Sequence, residues 1–249
     1  MSNSLSVATA PVKTSAFDTE LALRIHRKRK ECAERILRPL LEAQQLRNAL
    51  DVGCGFGFFS RFLADLNLRV TAFDVRRENV EEARHRNPDV DCKLSNIEDL
   101  DPGAFGAYDL VFCFGVLYHL ENPFRAMRNL EALTGKVLLM ESVIAPFRSE
   151  VTALIDEIER ENQGVNYIAD IPSESWFIKS LYRVGYPHVY KTSVLPDHED
   201  FRASILRRRR RTILVASRSE LKLPFLRRVP NPTPKVNVWF RPGVNYFVK

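Results

Sequence analysis

Closely spaced cysteine pairs are missing from this sequence. Its 249 residues include four cysteines, Cys32, Cys54, Cys92 and Cys113, and no two of them form a CxxC motif. Zinc ribbons, thioredoxin-type redox sites and disulfide scaffolds depend on cysteines at short or regular spacings. The pattern therefore argues against all three classes, and it favours reduced thiols in the cytosol.

Long apolar segments are missing too. The start, MSNSLSVATAPVKTSAF, is polar, and no later stretch approaches the ~20 apolar residues needed to span a bilayer. We expect neither an export signal nor a membrane span. Hydrophobic residues make up 45% of the chain and charged residues 27%, which are near the averages for globular proteins, so the chain is expected to fold.

The basic charge is concentrated at one end of the chain. Residues 201–249 hold 13 Lys or Arg and one acid, a net charge of +12, whereas the other 24 basic and 30 acidic residues leave −6 for residues 1–200. Basic C-terminal segments often meet anionic partners, so an anionic ligand is a reasonable expectation.

We divide the chain into three parts. A length of 249 residues fits one α/β domain with attachments better than two domains. Residues 1–17 are predicted to be a flexible leader, residues 18–220 the domain, and residues 221–249 an irregular, proline-rich basic tail. Within the domain, residues 18–46 are expected to form two helices or one long bent helix, and residues 143–172 an inserted segment beside the ligand.

Strand and helix patterns alternate through the domain. The predicted strands are Asn48–Val52, Leu68–Phe73, Val90–Leu94, Tyr108–Phe114, Lys136–Met140, Pro187–Leu195 and Thr212–Ser217. The predicted helices are one of about ten residues after the first strand, Arg77–Asn87, Pro123–Leu133, Glu150–Glu161 and Ser173–Val184. Alternation of this kind predicts a doubly wound, mostly parallel α/β sheet with helices on both faces.

A glycine-rich loop follows the first strand. Residues 51–57 read Asp-Val-Gly-Cys-Gly-Phe-Gly, directly before a helix. Glycines let a ligand approach the backbone, and the helix start offers unpaired N–H groups. The dinucleotide fingerprint G-x-G-x-x-G needs glycine at position 58, where this chain has Phe58, so nicotinamide cofactors are disfavoured.

The second strand ends in Phe73-Asp74. In such folds, a carboxylate about twenty residues beyond the first glycine bonds the hydroxyls of a ribose. A helix N-cap is the alternative role for Asp74. Together with the glycine loop, Asp74 predicts a nucleoside-type ligand.

The motifs LDVGCGFGFFS, AFDV, SNIEDL and YDLVFCFGVLYHLENP resemble those of class I S-adenosylmethionine-dependent methyltransferases, over about residues 45–217. The resemblance implies S-adenosylmethionine as cofactor and seven strands in the order 3-2-1-4-5-7-6, the last antiparallel. It also implies that Gly53 and Gly55 face the methionine part, that Asp51 orients the loop, and that Asp74 holds the ribose.

The resemblance extends to the adenine end of the cofactor. It implies that Asn96 bonds the adenine amino group and that Ile97 contacts the ring edge. The family often has Asp where this chain has Asn96; an amide oxygen accepts the same hydrogen bond without charge. The full set of cofactor-binding positions implied is Asp51, Gly53, Cys54, Gly55, Gly57, Asp74, Val75, Asn96, Ile97 and Phe114.

The catalytic candidates follow the fourth strand, whose carboxyl end leads into Tyr118 and His119. Ligands of open α/β sheets bind beyond the carboxyl ends of the strands. A histidine with a near-neutral pKa can remove a proton from a hydroxyl as the methyl group arrives, so His119 is the candidate general base. The alternative is a His119 that only supports the cofactor loop. Glu141 and Ser142, after the fifth strand, are second candidates.

The acceptor is expected to be a small or lipid-linked metabolite. The run Arg207–Arg211 precedes the seventh strand at the ligand edge, and arginine suits phosphate or carboxylate, so an anionic acceptor is one hypothesis; a solvated strand face is the other. RNA is a rival, since GVLYHL resembles a run in bacterial enzymes that modify wobble uridine of transfer RNA, but no aromatic stacking platform favours it. A binding protein without chemistry is the rival from another class. No metal is implied.

Overall fold

The computed structural model of the chain describes residues 17–157, 167–203 and 210–233. The helices are α1 Glu20–Gln44, α2 Phe58–Asp65, α3 Arg77–Arg86, α4 Pro102–Phe105, α5 Pro123–Leu133 and α6 Glu174–Val184. The strands are β1 Asn48–Val52, β2 Arg69–Asp74, β3 Asp91–Leu94, β4 Tyr108–Phe114, β5 Thr134–Val143, β6 Thr152–Asp156, β7 Ile168–Pro172, β8 His188–Thr192, β9 Arg211–Ser217 and β10 Leu226–Arg228.

The main sheet runs β10-β8-β9-β5-β4-β1-β2-β3. Strands β1 to β5 pair in parallel, and β9 is antiparallel to both β5 and β8. The predicted fold class and the order of its seven strands are therefore confirmed. The parallel strands place their carboxyl ends at one edge, where their loops converge.

Apolar side chains cover both faces of this sheet because neighbouring strand residues point to opposite sides. In β4, Leu110, Phe112 and Phe114 pack into the core on the α1 and α2 side. Val111 and Cys113 pack into the core on the α5 and α6 side. Because both faces of the sheet are buried, the sheet lies between two layers of helices, as the sequence predicts. All four cysteines are buried and free.

The N-terminal helical segment is a single helix. Helix α1 continues through Pro39, and the side chain of Thr19 caps it by accepting a hydrogen bond from Ala22 N–H at 3.2 Å. Its buried face includes Arg29, Cys32 and Ile36. Of the two expectations for residues 18–46, the one long helix is the correct one.

Two expectations for the rest of the chain are wrong. Residues Glu150–Glu161 do not begin a helix; the part described forms β6, which pairs antiparallel with β7 in a two-stranded sheet. The β-branched Val151, Thr152 and Ile155 suit a pleated strand with a partner better than an isolated helix. The tail is not wholly irregular either, because β10 adds an eighth strand beside β8.

Among the residues described, no helix combines the length and the apolar character that crossing a bilayer requires. The residues of the leader before Phe17 and those of the tail after position 233 lie outside the described part of the chain.

Candidate active site

A cavity of about 490 Å³ lies beyond the carboxyl ends of β1, β2, β3 and β4. Its walls come from the glycine loop after β1, the loops after the other three strands, and one face of α1. Seven of the ten predicted cofactor positions line it, namely Gly53, Cys54, Asp74, Val75, Asn96, Ile97 and Phe114, as do both catalytic candidates, Tyr118 and His119.

The glycine loop needs two of its glycines for conformation and for space. Gly53 has φ +66°, and a Cβ there would lie 2.5 Å from the side chain of Val116. Gly55 has φ +53°, and its N–H donates to Asp74 Oδ2 at 2.9 Å. The loop is thereby tied to the end of β2, and its backbone forms one wall of the cavity.

The Asp74 carboxylate organises the loop after β2. It is 6% exposed, and its Oδ1 accepts hydrogen bonds from Arg76 N–H at 2.9 Å and from Asn79 Nδ2 at 3.0 Å. A carboxylate offers about four acceptor positions, and Gly55, Arg76 and Asn79 occupy three of them. Oδ2 therefore keeps capacity for a ligand hydroxyl, as a ribose site requires.

Unpaired polar atoms in the wall also suit a polar ligand. Among the described residues, four buried side-chain polar atoms have no hydrogen-bond partner, and three of them belong to residues lining the cavity: His26 Nδ1, Arg29 Nε and Asn79 Oδ1. Burying such atoms without a partner costs free energy. The residues present thus fit a cofactor with hydroxyl and charged groups.

Three predicted cofactor positions do not line the cavity. Asp51 is 2% exposed and accepts a hydrogen bond from Ser60 Oγ at 2.6 Å, which links β1 to α2. Burial raises the pKa of Asp51 to about 7. At Gly57 (φ +82°) a Cβ would collide with the side chain of Asn87, and at Gly55 it would meet the ring of Phe17. These residues shape the loop rather than the cavity surface.

Asn96 lines the cavity, but its side chain is bonded within its own loop. Its Oδ1 accepts from Glu98 N–H at 3.0 Å, and its Nδ2 donates to Asp99 Oδ2 at 2.9 Å. The second lone pair of Oδ1 is the one that an adenine amino group can use.

A cluster of aromatic and charged side chains, which the sequence did not predict, lies at the mouth of the cavity. The Phe17 and Phe56 rings lie 5.2 Å apart, and the Arg86 guanidinium stacks 4.8 Å from the Phe56 ring. Arg86 also donates two hydrogen bonds to Asp18, at 3.0 and 2.8 Å. Phe56 is bulky for a glycine loop, and this packing explains why it is there.

A buried charge network lies behind the cavity. Glu141 is fully buried and accepts hydrogen bonds from Arg29 and from Arg211, the latter at 2.9 Å. Burial by itself raises the pKa of the Glu141 carboxyl, but the two guanidiniums outweigh that effect and hold its pKa below the usual range. Glu141 is therefore committed to ion pairing, and the Ser142 hydroxyl bonds the Val143 carbonyl. Neither residue is among those that line the cavity.

Arg211 links the buried charge network of Glu141 to the cavity. It donates to the Tyr118 hydroxyl at 3.4 Å and lies 5.2 Å from the Tyr118 ring. Of the predicted arginine run, Arg211 lines the cavity, and the Arg210 side chain is 62% exposed. Residues 207–209 lie outside the described part of the chain.

His119 has an acidic partner that the sequence did not indicate. Its Nδ1 is hydrogen-bonded to Glu157 Oε1, and both side chains are largely buried, at 14% and 11% exposure. Glu157 directly follows β6, so it comes from the inserted segment. Across the described residues, no cluster of three or more His, Cys, Asp or Glu is arranged to hold a metal ion.

Comparison with known proteins gives a partial sequence match. A family model described as a methyltransferase domain matches residues 50–135. Ubiquinone biosynthesis O-methyltransferase of Xanthomonas oryzae pv. oryzae is 37% identical over 97 residues, which are 36% of this chain and 41% of the relative. The same enzyme of Xanthomonas campestris pv. campestris is 36% identical over 88 residues. The chain thus matches less than half the length of these curated relatives.

Solved structures match over most of the chain. The N-terminal domain of EvdMO1, crystallised with S-adenosylhomocysteine, is 19% identical with a TM-score of 0.59, covering 75% of this chain and 80% of that one. Magnesium protoporphyrin IX methyltransferase of Synechocystis, with bound S-adenosylmethionine, is 19% identical with a TM-score of 0.53, covering 81% and 85%. At these identities the likeness concerns the fold. Residues 50–135 match a methyltransferase-domain family model, and the chain has the fold of class I S-adenosylmethionine-dependent methyltransferases.

Proposed function

We propose that this chain is an S-adenosylmethionine-dependent methyltransferase that methylates a hydroxyl oxygen of a small, anionic metabolite. The observation that carries the proposal is that one cavity joins the glycine loop and Asp74 to the His119–Glu157 pair and Tyr118. The partial match to O-methyltransferases favours oxygen over nitrogen as the methylated atom.

The cofactor would be held by residues that already fit it. Asp74 Oδ2 and Asn79 Oδ1 have acceptor capacity for ribose hydroxyls; Ile97, which lines the cavity, would contact the adenine, and the glycine loop would contact the methionine part. When bound, S-adenosylmethionine supplies a methyl group on a positively charged sulfur. Since the leaving thioether is neutral, placement of the acceptor supplies much of the acceleration.

The acceptor hydroxyl would be placed beside His119. A neutral imidazole within hydrogen-bond reach of that hydroxyl can take its proton as the methyl group arrives. His119 Nδ1 is engaged by Glu157, so the proton would go to Nε2. Tyr118, whose ring lies 4.0 Å from that of His119, would orient the acceptor.

An anionic group on the acceptor would complement one part of the cavity wall, the guanidiniums of Arg29 and Arg211. Acidic residues line other parts of it, namely Asp18, Asp74, Glu98, Asp99 and Glu121. Arg29 and Arg211 line the cavity and share the single buried carboxylate of Glu141. Asp200 lies farther away, 3.7 Å from Arg211 Nε. Arg29 Nε has no hydrogen-bond partner among the described residues, and guanidinium groups bind carboxylate or phosphate well.

Labelling identifies the reaction and its substrate together. The protein is incubated with methyl-deuterated S-adenosylmethionine and, in separate reactions, a metabolite extract and total transfer RNA, and the products are analysed by mass spectrometry. We expect a deuterated small molecule that carries a methyl ether and an acidic group. Label in the RNA alone would replace this proposal by RNA modification, and binding of S-adenosylhomocysteine without any labelled product would favour a binding protein.

A further inference from the structure

We infer that Glu157 is the positioning residue of His119: it holds the imidazole with its proton on Nδ1, which leaves the Nε2 lone pair to receive the acceptor proton. This inference rests on the proposed function, because it names the residue that prepares the general base. Glu157 lies on the inserted segment, 38 residues beyond His119 in the sequence.

The hydrogen bond between His119 and Glu157 is held in place by the structure around it. Both side chains are mostly buried, so solvent competes little for the hydrogen bond. The backbone of Glu157 is fixed as well, because its N–H donates to the carbonyl of Tyr167 at 2.8 Å, closing the end of the β6–β7 pair. The carboxylate is thus presented from a hydrogen-bonded backbone.

The strand pair is itself attached to the loop that carries His119. Asp170 N–H, on β7, donates to the carbonyl of Leu120 at 2.9 Å. At its other end, Ser173 N–H donates to the carbonyl of Val151 at 2.9 Å, and Ala145 N–H donates to Pro172 at 2.9 Å. The relative position of Glu157 and His119 is therefore set by backbone hydrogen bonds that do not depend on the side-chain pair.

The chemistry follows from the two ring nitrogens. An ionised carboxylate only accepts hydrogen bonds, so the nitrogen facing Glu157 must carry the proton. During transfer, the acceptor O–H bond breaks as the O–CH₃ bond forms and the methyl–sulfur bond breaks, and the proton passes to Nε2. The resulting imidazolium is stabilised by the Glu157 charge and returns its proton to water.

Other charged or titratable groups lie on the elements around His119. They are Tyr118 and Glu121 on the same loop, Asp170 on β7, Glu141 on β5, Arg125 and Arg128 on α5, and, lining the same cavity, His26, Glu98 and Arg211. Among the contacts described for His119, Glu157 is the one carboxylate hydrogen-bonded to its ring. We therefore assign the control of its tautomer to Glu157.

Histidine ¹⁵N NMR of the full chain tests the inference without an acceptor. His119 is assigned by comparison with His119→Gln, and its tautomer is recorded. Wild-type His119 should carry its proton on Nδ1. Glu157→Gln should keep that tautomer, because an amide oxygen still accepts. Glu157→Ala should shift the proton to Nε2.

Asp156→Asn is the matched control, since it removes one negative charge from the neighbouring, exposed position. It should leave the tautomer of His119 unchanged. A wild-type His119 protonated on Nε2, or a tautomer unaltered in folded Glu157→Ala, overturns the inference. Calorimetric titration with S-adenosylhomocysteine in the same samples tests the proposed function separately, because cofactor binding does not require the tautomer.

Discussion

Asp18 and Arg86, 68 residues apart in the sequence, form a doubly hydrogen-bonded ion pair at the mouth of the cavity. Arg86 simultaneously stacks on Phe56 of the glycine loop, and Phe17 packs on the same ring. The residues just before α1 are thereby joined to α3 and to the loop expected to bind the cofactor. This contact is exposed, since both charged side chains are about 40% accessible.

Opening this cluster should affect ligand exchange more than folding. Exposed ion pairs contribute about 0–1 kcal/mol, so Asp18→Asn should barely change the free energy of unfolding. Phe17→Ala should speed dissociation of S-adenosylhomocysteine several-fold, because the ring covers the backbone at Gly55. Stopped-flow fluorescence measures the rate, and Glu20→Gln, on an exposed neighbouring side chain, is the control. Equal dissociation rates in Phe17→Ala and wild type would show that the cluster has no part in retention.

Replacing Asp74 should weaken cofactor binding strongly. In the wild-type structure, Gly55 N–H donates to the Asp74 carboxylate. In Asp74→Asn, the side-chain amide can present an N–H group toward Gly55 N–H in place of an acceptor oxygen. A hydrogen bond to a charged group is worth about 1.5–3 kcal/mol, so the Kd for S-adenosylhomocysteine should rise roughly ten- to hundredfold. Isothermal titration calorimetry measures this, with the exposed Asp91→Asn as control. An unchanged Kd would remove Asp74 from the cofactor site.

Glu141 should be essential to stability. Glu141→Gln removes the carboxylate charge that Arg29 and Arg211 share and leaves Arg211 with the more distant Asp200, at 3.7 Å; breaking a buried pair costs about 3–5 kcal/mol. The pKa of Glu141 is lowered by folding, so its stabilisation is present above the ordinary pKa of 4.5 and is lost as the pH falls through the lower folded value. Urea unfolding at several pH values measures both effects. The exposed pair Glu34–Arg38 provides a control, Glu34→Gln, which should cost under about 1 kcal/mol.

Asp51 should make the free energy of unfolding depend on pH in the direction opposite to that of Glu141. Burial raises its pKa from 3.8 to about 7, so its protonated form is favoured by folding, and stability should fall as the pH rises from about 4 to 7. Asp51→Asn should flatten the stability curve in this window, whereas the exposed Asp65→Asn should leave the slope unchanged. Urea unfolding at pH 5 and pH 8 compares them. A wild-type slope retained in Asp51→Asn would contradict the assignment.

The local parts of the site could be predicted from the sequence, and the distant pairings could not. The glycine loop and Asp74 belong to one strand–loop–helix–strand unit, so their spacing indicates their placement. Glu157 was expected on a helix, where it would have no reason to face His119. The β-branched residues that precede Glu157 form strand β6 only because β7 pairs with β6.

Ion pairs between residues that are far apart in the sequence could not be predicted either. Arg29 lies within a run of four basic residues, 27–30, yet it is 4% exposed and bonds Glu141, 112 residues away. Periodicity reports which face of a helix is apolar on average, but not which single charge finds a buried partner. Gly115 allows this contact, because a Cβ there would lie 2.8 Å from the Arg29 guanidinium.

His119→Ala separates chemistry from cofactor binding. If His119 is the general base, the substitution removes the proton acceptor but leaves Asp74 and the glycine loop intact. General-base catalysis contributes typically 10²–10⁴-fold, so turnover of the acceptor identified by labelling should fall about a hundredfold or more, while the Kd for S-adenosylhomocysteine stays within about twofold. His85→Ala, at an exposed position of α3 that is not among the residues lining the cavity, is the matched control. Residual activity in His119→Ala should rise with pH, because the acceptor hydroxyl must then ionise without help. Turnover equal to that of wild type at neutral pH would assign His119 a supporting role and leave the reaction to placement of the acceptor alone.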